Sequence, residues 1–369
     1  MKKYYDAAII GGGIIGCSIA YYLAKENLKV GLFESGELGG KTTSAAAGML
    51  GAHSECDDMN IFYPFARNSQ LEYFKLEKEI RELSKIDISL CKGGIYKLAY
   101  TEKEKKEMES LCALPTVDWL DANQVISNES TISPLILGAA YIEDDVSVVP
   151  EAVCKGLGIS ASVLGAELHE YTQVYDIQKQ ESTYLIKTPA GEVEAQYVVV
   201  ASGLWSNSFF ESMGLSNRIV PVKGECLSVW NRGTVLNHTL FHEHQYIVPR
   251  MNGSLVIGAT MVENDWNERP SLGGIEKLIV HAKKMMPEIG EMEIGSTWAG
   301  LRPQTFDKKP FIGRHPEQEG LLFAAGHFRN GILLAPGTGK MISNLILGKE
   351  VNKKWREAFK IERRHEVFA

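Results

Sequence analysis

The sequence is poor in the features that mark nucleic-acid-binding, secreted and membrane proteins. Its 369 residues carry a formal net charge of -7 and no cluster of basic residues, which argues against nucleic acid as a partner. No apolar run is long enough to cross a bilayer. The six cysteines, Cys56 among them, form no CxxC pair and show no regular spacing, as is typical of reduced thiols in a cytosolic protein. We therefore expect a cytoplasmic protein without a membrane or nucleic-acid partner.

What the sequence does contain is an ordinary globular composition and one dense glycine motif. Hydrophobic residues make up 44% and charged residues 23%, which is typical of a soluble protein with a large core. The apolar run Ala7–Ile10 predicts a buried strand. It leads directly into Gly11, Gly13 and Gly16, which form a GxGxxG pattern. An apolar stretch over residues 17–25 then predicts a helix.

The spacing of these glycines matches a dinucleotide-binding turn. Gly11 permits the tight turn, Gly13 lets a pyrophosphate approach bare backbone, and Gly16 lets the helix pack closely on the strand. The amino terminus of the helix offers unpaired N–H groups and a positive dipole end to the phosphates. A second strand, over residues 29–33, ends at Glu34, whose carboxylate can accept both ribose hydroxyls of an adenosine. A glycine-rich turn without a ligand is the weaker alternative, because strand, turn, helix, strand and acid follow in order.

The rest of the chain mixes helical and strand patterns without an internal repeat. Thr43 or Ser44 can cap a helix over residues 45–50, whose small side chains suit either a bound cofactor or tight helix packing. Asn252-Gly253 is a strong hairpin signal between two strands. Further helices are predicted over 60–85, 102–111, 150–164, 273–286 and 331–347, and further strands over 91–100, 174–177, 184–188, 193–200, 246–250, 254–261 and 321–326.

These patterns predict an α/β protein, α+β overall, with two domains. Buried parallel strands at the start, middle and end of the chain predict a Rossmann-like dinucleotide-binding domain that is discontinuous in sequence. We place it at residues 1–83, 146–220 and 303–369. Antiparallel strands in 84–145 and 221–302 predict a β-sheet domain that binds the substrate.

Two other patterns resemble known sites but are incomplete. Residues 337–340 look like the end of a phosphate-binding loop, but Leu334 stands in place of its first glycine and Met341 in place of its Ser/Thr. His242 and His244 could present two imidazoles on one strand face, but the sequence offers no third ligand at a convincing spacing. We therefore predict no metal site, and no catalytic triad is visible.

Several segments beyond the dinucleotide motif resemble the flavin amine oxidases. They are residues 42–49, 200–206, 221–227, 246–250, 298–303 and 326–332. This superfamily includes D-amino acid oxidase and sarcosine oxidase, and within it the chain is most similar to the bacterial glycine oxidases of thiamine biosynthesis. The likeness covers essentially the whole chain, and segments 298–303 and 326–332 are its most discriminating parts.

The resemblance implies a bound FAD. Family members with covalent flavin carry a cysteine in the carboxyl-terminal catalytic part, and no cysteine follows Cys226 here, so we expect non-covalent FAD. A helix that begins near Gly331 would aim its positive end at the flavin pyrimidine and favour the negative charge that develops on reduction. The residues expected to hold FAD are Gly11, Gly13, Ile14, Ile15, Gly16, Glu34, Ser35, Thr42, Thr43, Ser44, Ala47, Gly48, Met49, Val174, Ser202, Gly203, Trp205, His327, Phe328, Arg329, Asn330, Gly331 and Ile332.

The resemblance also implies a binding site for a small amino acid. Arg302 and Tyr246 would hold the substrate carboxylate, for which the planar guanidinium is well shaped. From the sequence alone, a structural salt bridge is the alternative for Arg302, and core packing is the alternative for the methionines. Other residues expected to shape or flank the pocket are Met49, Gly51, Met261, His244 and Arg329.

The expected activity is oxidation of glycine and small N-substituted glycines, such as sarcosine and, as a further candidate, glyphosate. Hydride transfer to flavin would give an imine that hydrolyses to glyoxylate and ammonia or amine, and oxygen would become hydrogen peroxide. We assign no side-chain acid or base. The resemblance also implies a homotetramer and a partnership with thiazole-synthesis enzymes. The alternatives are an FAD-dependent D-amino acid or sarcosine dehydrogenase with an acceptor other than oxygen, an NAD-dependent dehydrogenase, and a flavin-binding regulatory protein.

Overall fold

The computed structural model describes residues 3–55, 58–216, 218–230, 233 and 236–363. Its strands are β1 (Lys3–Ile10), β2 (Val30–Phe33), β3 (Met49–Leu50), β4 (Ile95–Ala99), β5 (Val117–Asp121), β6 (Gly138–Ile142), β7 (Val146–Ser147), β8 (Glu167–His169), β9 (Asp176–Lys179), β10 (Tyr184–Thr188), β11 (Gly191–Val200), β12 (Val220–Trp230), β13 (Thr239–His242), β14 (Gln245–Pro249), β15 (Ser254–Gly258), β16 (Val262–Glu263), β17 (Glu293–Gln304), β18 (Phe311–Arg314) and β19 (Leu321–Ala325). Its α-helices are α1 (Ile14–Lys25), α2 (Phe62–Ser84), α3 (Glu102–Leu111), α4 (Ala122–Asn128), α5 (Pro150–Val163), α6 (Ser206–Ser212), α7 (Leu272–Met285), α8 (Gly331–Ile346) and α9 (Lys353–Phe359). Short 3₁₀ helices cover Gly203–Trp205, Pro287–Glu291 and Phe328–Asn330.

The first sheet is built around β1. This strand pairs in parallel with β2 on one side and with β11 on the other, and β11 pairs in parallel with β19. Helices α1, α5 and α8 pack on one face of the sheet, and α6 packs on the other. Residues Ala7–Ile10 are buried because they lie at the centre of this parallel sheet between two layers. The carboxyl ends of β1, β2, β11 and β19 therefore meet at one edge.

The second sheet is mostly antiparallel and runs in the order β16-β12-β15-β14-β13-β4-β6-β5, with β17 paired to β12. Among the described strands of this sheet, only β13 and β4 pair in parallel. Helix α7 covers one face, where Leu278 and Met285 are buried beside Ile247 of β14. Tyr246, which precedes Ile247, points to the opposite face and packs with Ala47. The period-two alternation of a strand thus turns Tyr246 toward the first sheet.

Most predicted elements are confirmed, and so is the α/β class. Helix α3 matches the predicted bounds, and the Asn252-Gly253 turn does join the antiparallel strands β14 and β15. Apart from β3 and β7, which form a small sheet of their own, the strands of the predicted dinucleotide-binding segments lie in the first sheet and those of 84–145 and 221–302 in the second. The limits of the two domains stay a prediction. No described helix combines the length and the apolar character needed to span a bilayer.

The predicted helix over residues 45–50 is wrong. Residues 46–48 are irregular, and Met49–Leu50 forms strand β3, which pairs with β7. Gly48 adopts a φ of +76°. The guanidinium of Arg250 donates to the carbonyls of Ala47, at 2.7 Å, and Val148, at 3.0 Å. These contacts from distant segments satisfy backbone groups that a helix would have used internally, so they override the local propensity.

Candidate active site

The turn between β1 and α1 depends on contacts that only glycine allows. Gly11 has a φ of +110°, and a Cβ on Gly16 would lie 1.8 Å from the Gly11 carbonyl oxygen. Helix α1 can therefore approach β1 only because Gly16 lacks a side chain. Gly13, the N-cap of α1, has an ordinary φ of -68°, and a Cβ there would meet only Thr43 Oγ1, at 3.6 Å. The space in front of Gly13 is open.

A cavity of about 720 Å³ begins at this turn and reaches residues of both sheets. Helix α1 directs its amino terminus at it, with no acidic residue in its first turn and with glycine at the N-cap; Thr43 Oγ1 accepts the Ile14 N–H, at 3.1 Å. Most residues predicted to hold the cofactor line the cavity: Gly11, Gly13, Ile14, Ile15, Glu34, Ser35, Thr42, Thr43, Ala47, Gly48, Met49, Val174, Ser202, Gly203, Trp205, His327, Phe328, Arg329, Gly331 and Ile332. Gly16 packs behind the turn, and Ser44 and Asn330 are not among the lining residues.

Glu34 holds the backbone at one end of the cavity. One carboxylate oxygen accepts the N–H of Gly12, at 2.7 Å, and the other accepts the N–H of Gly36, at 2.8 Å, and the hydroxyl of Ser35, at 3.0 Å. Each carboxylate oxygen has two lone pairs, so the group keeps acceptor capacity for a ligand hydroxyl. The glycine turn and the acid after β2 therefore form one hydrogen-bonded unit.

The opposite part of the cavity is closed by residues 327–332. His327 is buried, and burial lowers its pKa to about 3, so the ring is neutral. Its Nε2 atom lies 3.0 Å from Thr338 Oγ1 on α8. Helix α8 begins at Gly331 without a side-chain cap, and Gly331 and Ile332 both line the cavity. A second helix amino terminus, with its positive dipole end, thus meets the same space.

Arg302 presents a cationic group to the cavity from β17. Its Nη1 atom donates to the Thr260 carbonyl at 3.1 Å, and no carboxylate of the described residues forms an ion pair with it. Gly224, on the neighbouring strand β12, lies directly against the guanidinium, since a Cβ there would be 2.2 Å from Nη1. The structural salt bridge considered for Arg302 is absent from the described part of the chain. Its remaining N–H groups are free to bind an anion.

Tyr246 lies beside Arg302 in the cavity lining. Its side chain is buried, and its hydroxyl lies 3.8 Å from Cys226 Sγ. Burial raises the pKa of this phenol, so it keeps its proton. Gly258 allows the ring to lie on β15, because a Cβ at that position would meet the ring. The guanidinium of Arg302 and the hydroxyl of Tyr246, both hydrogen-bond donors, thus line the same cavity.

The second arginine, Arg329, is already paired. Its Nη2 atom lies 3.1 Å from Glu55, both side chains are largely buried, and its Nη1 atom lies 3.5 Å from His244 Nδ1. All three residues line the cavity. Because Glu55 neutralises Arg329, Arg302 is the stronger candidate for binding a carboxylate.

The residues predicted to shape the pocket divide into two groups. Met49 and Met261 line the cavity. Gly51 does not, because it lies behind the lining, where a Cβ would be 2.4 Å from Ser54 Oγ. Its effect on substrate size stays a prediction. Cys56 lies outside the described residues, and the other cysteines are free thiols.

The sequence did not single out Glu55 or Gly224. Glu55 gave no local signal, because its partner Arg329 is distant in the chain. Gly224 did give one, since a glycine inside a strand often marks a close approach by another group. Here that group is the guanidinium of Arg302.

Comparison with known proteins identifies the family that this chain matches and the proteins to which it is similar. The chain matches the family described as FAD dependent oxidoreductase over residues 6–345. It is 53% identical to a glycine oxidase of Bacillus licheniformis over 367 residues, which is 100% of both chains. It superposes on the crystal structure of glycine oxidase from Geobacillus kaustophilus with a TM-score of 0.94 and 38% identity, covering 98% of this chain and 100% of that chain.

A fused relative provides a further comparison. The bifunctional protein ThiO/ThiG of Synechocystis sp. is 30% identical over 360 residues, covering 95% of this chain and 53% of that protein. The similar segment therefore occurs there beside a second segment in one polypeptide.

Proposed function

The chain belongs to the family of FAD dependent oxidoreductases, and from that premise we propose that it is an oxidase of glycine and small N-substituted glycines. The substrate class is inferred from Arg302. Its guanidinium lines the cavity without an ion-pair partner among the described residues, as a group that binds a substrate carboxylate would. Sarcosine and glyphosate are candidate substrates because each retains a glycine carboxylate. Glycine oxidases at 53% identity support the smallest member, glycine itself.

The residues around the glycine turn fit FAD. The open space before Gly13 would let a pyrophosphate approach the amino terminus of α1, and the remaining acceptor position of Glu34 would take a ribose hydroxyl. When bound, FAD supplies the two-electron acceptor for amine oxidation. The amino terminus of α8, at Gly331, would favour negative charge on the group beside it. We expect the cofactor to be held without a covalent bond.

On the substrate side, Arg302 and Tyr246 would bind the carboxylate together. The guanidinium can donate two parallel hydrogen bonds and the protonated phenol can donate a third. Met49 and Met261 line the same cavity and are the side chains that would limit the size of the α-substituent. Fixing the carboxylate fixes the α-carbon, and positioning of this kind lowers the barrier by reducing the entropy cost of the reaction.

We assign no side-chain general base. His327 is neutral but engaged with Thr338, and Glu55 is paired with Arg329. The substrate amine must be neutral to lose two electrons and become an imine. Water then converts the imine to glyoxylate and ammonia or amine, and oxygen is reduced to hydrogen peroxide.

Anaerobic reduction tests this proposal. Glycine added to the purified holoprotein without oxygen should bleach the flavin absorbance, and air should restore it with formation of one peroxide per glycine. No bleaching by any small amino acid would rule out the proposed substrate class. Bleaching that air does not reverse would favour the dehydrogenase alternative.

We also propose a cytoplasmic enzyme that assembles as a homotetramer and delivers its product to thiazole synthesis. The free thiols support the compartment. The fused ThiO/ThiG relative supports a link between two activities. Light scattering of the purified holoprotein measures the assembly, and a mass of one or two chains would contradict a tetramer.

Replacing Glu34 by alanine is expected to weaken FAD binding by about 1.5–3 kcal/mol, the usual contribution of hydrogen bonds to a charged group. Alanine removes the ribose acceptor and leaves the Gly12 N–H without its partner. Glu34→Gln keeps one acceptor oxygen and should lose less. Titration of the apoproteins with FAD measures the difference, and unchanged affinity in Glu34→Ala would remove this residue from the site.

Replacing Gly224 by alanine is expected to raise KM for glycine about ten- to hundredfold with little loss of FAD. The new Cβ would displace the guanidinium of Arg302 and cost part of a charge-assisted pair, about 1.5–3 kcal/mol. Gly273→Ala, where a Cβ meets nothing within 4 Å, is the matched control. An unchanged KM in Gly224→Ala would show that Arg302 does not need its present position.

A further inference from the structure

A histidine cluster lies on the face of the second sheet that α7 covers, away from the cavity. His242 ends β13, Glu243 follows it in the turn, and His281 reaches the same place from α7. His242 Nδ1 lies 2.8 Å from His281 Nε2. One ligand atom from each of the three residues lies within 4.8 Å of the other two. We propose that His242, Glu243 and His281 form a binding site for a divalent transition-metal ion such as Zn²⁺.

The spacing of the ligand atoms fits such an ion after a small movement. Zinc binds imidazole nitrogen at about 2.0–2.1 Å and carboxylate oxygen at about 2.0–2.2 Å, so neighbouring ligand atoms lie roughly 3–3.5 Å apart around it. The two imidazole nitrogens must separate by about half an ångström. Glu243 is exposed, and its carboxylate must close from a separation of at most 4.8 Å, which a side chain at a turn can do.

Glu104 gives this cluster the outer support that metal-binding histidines generally have. Its Oε1 atom lies 3.2 Å from His242 Nε2. Since a carboxylate only accepts, His242 donates from Nε2, and its lone pair is then on Nδ1, the atom that faces His281. A carboxylate behind the histidine fixes both the tautomer and the ring orientation, and it raises the basicity of the ligand nitrogen.

The electrostatics of the cluster allow a cation to bind. Without a metal, His281 Nε2 donates to the lone pair of His242 Nδ1 across their 2.8 Å contact, and metal binding would move that hydrogen to His281 Nδ1. Lys284 is the positive charge that acts on both rings. Glu104 and Glu243 place two negative charges against this one positive charge.

The site is separate from the substrate-binding residues. His244, two residues along, lines the cavity, whereas His242 faces α3 and α7. The pair that the sequence suggested, His242 with His244, therefore does not form. The third ligand comes from a helix about forty positions later, and a bound ion would tie the β13–β14 turn to α7.

Zinc titration of the metal-stripped, FAD-loaded full-length protein tests the proposal, with glycine omitted because it chelates metals. Calorimetry should show one saturable site per chain with micromolar or tighter affinity. His281→Gln and Glu243→Gln should each weaken it at least tenfold. Glu276→Gln, which removes an exposed glutamate from the same helix, is the matched control and should bind as the parent does.

A spectroscopic measurement identifies the ligands directly. Cu²⁺ bound to the parent should give an electron paramagnetic resonance spectrum with coupling to two imidazole nitrogens, and His281→Gln should reduce this to one. Zinc should also raise the melting temperature of the parent more than that of His281→Gln. Absence of saturable binding, or equal affinity in His281→Gln and the parent, would overturn the proposal. Neither result depends on glycine turnover, so failure here leaves the proposed oxidase function standing.

Discussion

Arg302→Ala is expected to lower kcat/KM for glycine by a hundred- to several-thousand-fold while FAD content stays near normal. Truncation leaves the substrate carboxylate without its partner in a site of low dielectric constant. Losing one side of such a pair costs roughly 3–5 kcal/mol, and each 1.36 kcal/mol is tenfold in rate. Arg302→Lys should recover only part of the loss, because a point charge cannot replace the fork.

Activity per bound flavin is the measurement that tests this expectation. A role in folding alone would lower stability and flavin content but leave the surviving holoprotein active. Arg329→Ala is an informative comparison, since Arg329 also lines the cavity but is neutralised by Glu55. Near-parental kcat/KM per flavin in Arg302→Ala would end the claim that this residue holds the substrate.

Two glycines of the β1–α1 turn are expected to respond differently to the same substitution. Gly13→Ala should fold normally, because its φ suits alanine and its Cβ would meet only Thr43, at 3.6 Å. It should nevertheless lose FAD affinity about a hundredfold or more, because the methyl group stands where the pyrophosphate approaches α1. Gly16→Ala should lose both FAD and stability, because its Cβ would collide with the backbone of Gly11.

Urea unfolding of the apoproteins, followed by FAD titration, separates these two effects. We expect an unfolding free energy within about 0.5 kcal/mol of the parent for Gly13→Ala, because its only new contact, with Thr43, is at ordinary van der Waals distance. Tight FAD binding in Gly13→Ala would be incompatible with a pyrophosphate against that residue. An unfolding free energy of Gly16→Ala equal to that of the parent would show that α1 can move away from β1 without loss of stability.

The part of the fold that the sequence predicts well is the part encoded locally. Gly11, Gly13 and Gly16 lie within six residues, and with the strand before them and the helix after them they predict the turn. Asn252-Gly253 likewise determines a hairpin from two residues. Long helices such as α2 and α8 follow from their periodicity, because many positions repeat the same signal.

The predictions that failed or were missed depend on contacts between distant segments. Residues 45–50 look helical, but Arg250 binds the Ala47 carbonyl and β7 pairs with Met49–Leu50. His281, the third proposed ligand of the histidine cluster, comes from α7, and no sequence pattern near His242 indicates it. No local pattern contains such information, because it exists only once the chain has folded.

The order of strands in the first sheet has a consequence for how the protein is made. Strand β1 leaves the ribosome first, but its neighbour β11 is completed only at Val200, and β19 only at Ala325. Pairing between segments so far apart must first close long loops, which slows folding. During synthesis the apolar Ala7–Ile10 segment can pair with β2 early but lacks β11 on its other side, where it is open to wrong pairing or to chaperones. The first sixteen residues encode the glycine turn, but the sheet that holds this turn is complete only after β11 and β19 have paired. We therefore expect the turn to become rigid enough to bind FAD only near the end of folding.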